Sequence, residues 1–155
     1  MQIITKRCVI RNFVEGDIKS FSKYRNDADW MQYQNFKCLS EKEYRDSLLV
    51  KCNFKNGCQL AIVDQYTNKL IGDLYIRQEG TSFWIGYTIS RQFARRGYAF
   101  EALKTMIRYI KVIGGTEILA DVDRGNIPSI NLLEKLNFSL VEKRNGNLIY
   151  ILSLN

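Results

Sequence analysis

The sequence predicts an α/β (α+β) chain whose centre is an antiparallel meander with helices before and after it. Three apolar runs, Leu60 to Val63, Leu70 to Ile76 and Phe83 to Ile89, are joined by short polar turns at 64–69 and 78–82. After them Leu103, Met106, Ile107 and Ile110 recur on one face at helical spacing. A further strand, helix and hairpin pattern follows, so strands and helices alternate to the end.

Each element has its own signal. Cys8 to Val14 alternates in polarity and reads as a first strand. Glu15 to Asn26 reads as a helix burying Ile18, Phe21 and Tyr24. Ser40-Glu41-Lys42-Glu43 is a capping box, in which the Ser40 hydroxyl and the Glu43 carboxylate each accept from the other's backbone N–H. A second helix is therefore expected from there towards Asn56-Gly57. The helix after Gly97 should end near Gly114-Gly115, and Ile118 to Val122 forms the next strand. Asn126 is placed to cap a last helix with Pro128 in its first turn, burying Ile130, Leu133 and Leu136 and ending around Asn137. Phe138 to Val141 and Leu148 to Leu152 make a final hairpin turning at Asn145-Gly146.

Composition narrows the chemistry. A chain of 155 residues with 46% hydrophobic and 25% charged content is expected to form a single domain, 1–155. No apolar run approaches the ~20 residues of a membrane span, and Met1 to Lys6 lacks a signal-peptide core, so a cytoplasmic protein without membrane association is expected. Cys8, Cys38, Cys52 and Cys58 show no CxxC pair and are expected to be free thiols; no metal site is expected. The absence of histidine excludes Ser-His-Asp and Cys-His catalysis. The net charge of +7 is spread along the chain without a basic block, which makes nucleic acid a poor candidate partner.

The segment Arg95-Arg96-Gly97-Tyr98-Ala99 stands out. It follows the strand Ile85-Gly86-Tyr87-Thr88-Ile89 and opens a helix. A helix N-terminus offers unpaired N–H groups and partial positive charge, and a glycine lets an anion come close to the backbone. This loop is suited to a phosphorylated ligand.

These residues carry a resemblance to the GNAT superfamily of acetyl-CoA-dependent N-acetyltransferases, in its RimJ/RimL-like branch. The Ile85–Ile89 strand with Arg95 to Ala102 is one motif; Asp123-Arg124-Gly125-Asn126-Ile127-Pro128-Ser129 continuing to Leu132–Phe138 is the other. The resemblance spans nearly the whole chain and implies a mixed, mostly antiparallel twisted sheet of about seven strands flanked by helices on both faces. It departs at Ala94 and Arg95, where Gln/Arg and Gly are usual, at Asn137 in place of Gly, and at Trp84 in place of Glu. Leu133 stands where many relatives have tyrosine.

The resemblance implies transfer of acetyl from acetyl-CoA to a primary amine by direct attack through a tetrahedral intermediate. The acceptor would be a protein N-terminus or other peptide amine, a polyamine, an aminoglycoside or another small amine, and a homodimer is common in the superfamily. Backbone N–H groups of Arg95, Arg96, Gly97, Tyr98 and Ala99 would hold the pyrophosphate, with the two arginine side chains free to add charge. Ile89 N–H would face the acetyl carbonyl, and Asn126 and Ser129 would bond the pantetheine arm or the leaving thiolate. Asn126 can equally be a plain cap, and Ser129 can bond within its own helix turn. Glu79 is the first candidate base, with Asp73, Tyr87 and a water chain as alternatives. Trp30, Tyr33, Trp84 and Tyr150 are the candidates for holding the amine, by cation–π contact, or for core packing. The competing functions are a catalytically weak CoA-binding or regulatory module of the same fold and a basic ribosome- or nucleic-acid-associated protein.

Overall fold

The computed structural model describes residues 1–155. Its sheet has eight strands rather than seven: β1 (Gln2–Ile4), β2 (Cys8–Asn12), β3 (Cys58–Asp64), β4 (Leu70–Glu79), β5 (Ser82–Ile89), β6 (Glu117–Asp123), β7 (Ser139–Arg144) and β8 (Asn147–Ser153). The spatial order is β1-β2-β3-β4-β5-β6-β8-β7. Every neighbouring pair is antiparallel except β5–β6, which is parallel and is bridged by a helix as parallel strands require. The additional strand is β1. Only Ile3 of its three residues turns inward, too little for an alternating pattern to show.

The helices are α1 (Ile18–Arg25), α2 (Glu41–Leu48), α3 (Tyr98–Val112) and α4 (Ile127–Lys135). The Ser40–Glu43 capping box opens α2 as expected, with Glu43 N–H on Ser40 Oγ at 3.1 Å and Ser40 N–H on Glu43 Oε1 at 3.2 Å. The helix stops at Leu48, well before Asn56. Leu49 and Val50 face solvent, so no buried stripe remains to carry it further. Asn53 then accepts from Asn56 N–H (2.9 Å) in a short 3₁₀ turn that leads into β3. Cys52 is paired with Cys58 in a disulfide across this turn, Cα atoms 5.3 Å apart; only Cys8 and Cys38 are the free thiols expected of all four. No helix is long and apolar enough to cross a membrane.

Two cores cover the two faces of the sheet. One packs α3 and α4, through Ala102, Leu103, Met106, Ile110 and Leu133, on inward residues of the central strands. The other packs α1 and α2, through Phe21, Tyr24, Tyr44 and Leu48, on Ala61, Val63 and Leu70. Side chains alternate across β5. Phe83, Ile85, Tyr87 and Ile89 face α3 and α4, whereas Trp84, Gly86 and Thr88 face α1 and α2.

A polar tie fixes the start of α3 to the turn between β1 and β2. Glu101 accepts from Arg7 Nε (2.7 Å), from Arg7 N–H (2.8 Å) and from the Thr5 hydroxyl. Burial would raise this carboxyl, but those hydrogen bonds outweigh it and hold the group below its usual range. A folded-state pKa below the unfolded one contributes stability above the unfolded pKa, lost as pH falls through the folded value. Glu101→Gln should therefore cost about 1–2 kcal/mol at neutral pH, the Arg7 contact being discounted for its exposure. Denaturant unfolding should show the gap to wild type closing as pH drops below about 4.

Candidate active site

At the start of α3 the backbone turns through two left-handed residues, Arg95 (φ 62°) and the helix N-cap Gly97 (φ 81°). Arg95 occupies a conformation glycine adopts without penalty, which accounts for the glycine usual at that place in the resemblance. None of the backbone N–H groups from Arg95 through Phe100 donates to a protein acceptor; the first that does is Glu101 N–H, to Gly97 O at 3.0 Å. A run of open donors at a helix N-terminus is an anion cradle. Arg7 steadies it, donating from Nη2 to Arg96 O (3.0 Å) and lying 4.1 Å over the Tyr98 ring. Arg95 lines the adjoining cleft, and the Arg96 guanidinium lies 5.9 Å from the centre of the ring of Phe93, which also lines it.

The cleft exists because β5 and β6 part company. Their ladder covers only Ser82↔Glu117, Phe83↔Ile118 and Trp84↔Leu119. Ser90 N–H donates to Ile71 O (2.8 Å) across β4–β5, so alternation turns the backbone groups of Tyr87 and Ile89 the other way, into the gap. The Ile89 carbonyl is taken by the indole N–H of Trp30 (2.8 Å). The Ile89 N–H is left facing the opening. A cleft of about 700 Å³ runs from Trp30 and Tyr33 past Ile89 to the α3 cradle and along α4 at Asn126, Ser129 and Lys135. A smaller recess under Tyr33 and Asn126 fills the fork itself. This is the size of site that takes a cofactor.

Asn126 stands at the N-cap of α4, but its side chain makes no capping bond. The capping reading of its side chain is thus corrected: Asp123 orders the turn by accepting Gly125 N–H (2.7 Å), and Asn126 is among the residues lining the cleft. Ser129, one turn on, is hydrogen-bonded to the Tyr87 hydroxyl, which also contacts Ser129 O at 3.4 Å. Burial pushes the Tyr87 phenol up to about 12, with the Ser129 bond opposing it. Tyr87 is therefore a protonated donor at neutral pH rather than a base. With leucine at 133, this fold brings its phenol to α4 from a strand. The parity of Tyr87 with Ile85 and Ile89 is the sequence signal that could have placed it.

Other expected site residues lie elsewhere. Glu79 ends β4 opposite Ser82, paired with Arg77 in solvent, and about 17 Å of strand separates Ser82 from Tyr87 at ~3.3 Å per residue. Trp84 has the wrong parity for the cleft and packs under Arg77, 5.8 Å away. Tyr150 is core, between Ala120 and Leu140 on neighbouring strands. Asp73 is fully buried and spoken for, accepting from Arg25 Nη2 (2.5 Å), Gln59 Nε2 (2.5 Å) and the Tyr24 hydroxyl. Trp30 and Tyr33 do line the cleft.

A second cavity, about 530 Å³, opens on the opposite face of β5, walled by Arg25, Asp73, Tyr75 and the segment after α2. It shares Gln34, Tyr87 and Thr88 with the cleft, so the two spaces meet at the end of β5.

A forked β5–β6 pair with open N–H donors at the following helix is an arrangement suited to a phosphorylated ligand. The model of the acetyltransferase (GNAT) domain matches residues 7–139, and the chain belongs to that family. It is an acetyl-CoA-dependent N-acetyltransferase. It is similar to the uncharacterized N-acetyltransferase YnaD of Bacillus subtilis (strain 168), 26% identical over 139 residues, covering 88% of this chain and 81% of that protein. Among solved structures, a GNAT-family acetyltransferase from Bacillus anthracis has the same fold, with a TM-score of 0.87 at 22% identity, covering 99% and 98% of the two chains. RimL, the ribosomal L7/L12 alpha-N-protein acetyltransferase, solved in complex with coenzyme A, superposes with a TM-score of 0.83 at 16% identity over 99% of this chain and 98% of that one. The GNAT resemblance and the mixed, mostly antiparallel sheet are thereby borne out.

Gly97→Glu should abolish acetyl-CoA binding, because it sets a negative charge in the cradle and a side chain on a left-handed residue. Calorimetric titration of the variant, with circular dichroism to confirm folding, checks this. A folded variant with wild-type affinity contradicts the assignment.

Proposed function

We propose that the chain moves the acetyl group of acetyl-CoA from the cleft to a primary amine entering through the second cavity, by direct attack at the end of β5. The observation that carries this is the meeting of two spaces at Tyr87 and Thr88, one with an anion cradle at its far end. Bound acetyl-CoA would supply the activated thioester.

The remaining work belongs to the protein. The open N–H groups from Arg95 to Phe100 bind the pyrophosphate, with the Arg95 side chain adding charge. The Asn126 amide holds the pantetheine arm from α4. The Ile89 N–H, held on a strand whose carbonyl is pinned by Trp30, polarises the acetyl carbonyl. Ser129 gives its proton to the departing sulfur and is resupplied by the Tyr87 phenol. Glu79 is too far to serve as base, and Asp73 is held by Arg25, Gln59 and Tyr24. The amine therefore sheds its proton to water before attack.

Two outcomes follow from this division of labour. Ser129→Ala should lower kcat by about 10–100-fold while leaving acetyl-CoA affinity within about twofold, and Tyr87→Phe should act in the same direction. Steady-state kinetics with a titration of each variant decides it. Because no side-chain base intervenes, kcat/KM for an amine should climb with pH towards the pKa of the acceptor itself. A plateau set by a carboxylate, near pH 5–6, would contradict the solvent route.

A further inference from the structure

Two glycines lie inside strands of the sheet, Gly72 on β4 and Gly86 on β5. A glycine within a strand weakens it, so each needs a reason: a special backbone angle, a bulge, or something that passes close to the chain. Gly72 has its reason within the fold, since a Cβ there would collide with the Thr88 carbonyl oxygen. Gly86 has none. Its φ is not positive, and the β4–β5 register runs through it unbroken. A Cβ placed on it would meet one atom beyond its chain neighbours within 4 Å, Tyr75 Cβ at 3.8 Å.

The side chain best placed to cover Gly86 is turned elsewhere. Tyr75 faces Gly86 across the ladder, but its phenol lies over Gly57, where a Cβ would collide with the Tyr75 hydroxyl. Trp84 and Thr88, the neighbours of Gly86 on this face of β5, both carry side chains, so the glycine is a part-exposed notch between them. The notch opens on two spaces at once, for Gly86 lines both the second cavity and the recess in the fork. Alternation from the Ser90–Ile71 bond turns the Gly86 backbone groups towards β4. The glycine therefore offers a ligand no hydrogen bond. What it offers is width.

Resting on the acetyltransferase reading above, we propose that the acceptor crosses β5 through this notch and that Gly86 sets the width of acceptor the site admits. Gly86 is two residues from Thr88 on the same face, about 7 Å along the strand at ~3.3 Å per residue. With the amine nitrogen at the end of β5, the atoms a few bonds from it lie over the Gly86 Cα, in the place a side chain would take. A body that branches or carries a ring close to its amine needs that room, and an unbranched alkyl chain does not. Gly86 is thus a specificity-determining position that acts by van der Waals contact alone.

Gly86→Ala and Gly86→Val test this, because an ordinary φ and an open Cβ position let the backbone stay as it is. Kinetics with acetyl-CoA are read by product mass for two wide amines, kanamycin and the peptide Ala-Ala amide, and two slim ones, propylamine and spermidine. The wild type should acetylate at least one wide amine. KM for that amine should rise about tenfold or more in Gly86→Val and by less in Gly86→Ala, while KM for any slim amine that is accepted moves less than about threefold. Acetyl-CoA affinity by calorimetry should stay within about twofold, and Gly86→Ala should not lower Tm. A wild type confined to slim amines, a wide-amine KM unmoved in Gly86→Val, or an equal rise for slim and wide amines overturns the width inference alone. So does a lower Tm or weaker acetyl-CoA binding in Gly86→Ala, which would mean that the glycine serves the fold. Failure to acetylate any amine despite bound acetyl-CoA overturns the acetyl-transfer reading and this inference with it.

Discussion

The parting of β5 from β6 after Trp84 and Leu119 is the constraint on which the rest depends. A sheet that stayed paired would satisfy the backbone of Tyr87 and Ile89 and close the space between α3 and α4. The fork leaves those groups open on one side while β4 holds β5 rigidly on the other. The same strand can then present Tyr87 to one face and Thr88 to the opposite face with no mobile parts. In the proposed transfer, donor and acceptor meet across this single strand, which would hold both in position.

The fork would be of little use if the anion cradle drifted. Open N–H groups are a liability in a folded chain, and here a whole turn of them is held in place from behind. Thr5 and Arg7, on the short turn between β1 and β2, clamp Glu101, which sits on the first turn of α3. The edge strand β1 thus has a role out of proportion to its length, since it fixes the turn that carries both clamping residues. On the opposite face, Asp73 ties α1 to the sheet through Arg25 and Tyr24, so the walls of both spaces are anchored by buried polar contacts.

Much of this was legible in the sequence. Gly97 before an amphipathic run locates the cradle, and Asn126 with Pro128 locates the mouth of α4. Arg95 and Asn137, which stand where relatives carry glycine, both adopt left-handed backbone as those places require (φ 62° and 70°). What failed was anything that depends on which end or face of a strand a side chain occupies. Glu79 looked near because the turn after it leads into β5, but β5 runs away from that turn before reaching the cleft. Trp84 and Tyr87 differ by an odd number of residues and so lie on opposite faces. Tyr150 faces α4 across β8, a register fixed by contacts remote in sequence. The Arg25–Asp73 pair also joins elements whose proximity only the assembled sheet reveals.

The central claim is that the backbone donors left open by the fork and by the start of α3 are the acetyl-CoA site. Amide hydrogen exchange with and without acetyl-CoA tests it most directly. The account predicts strong new protection at Arg95–Phe100 and at Ile89, with little change in β1, β2 and β7. Saturable binding that leaves those amides exchanging at their unliganded rates would contradict it.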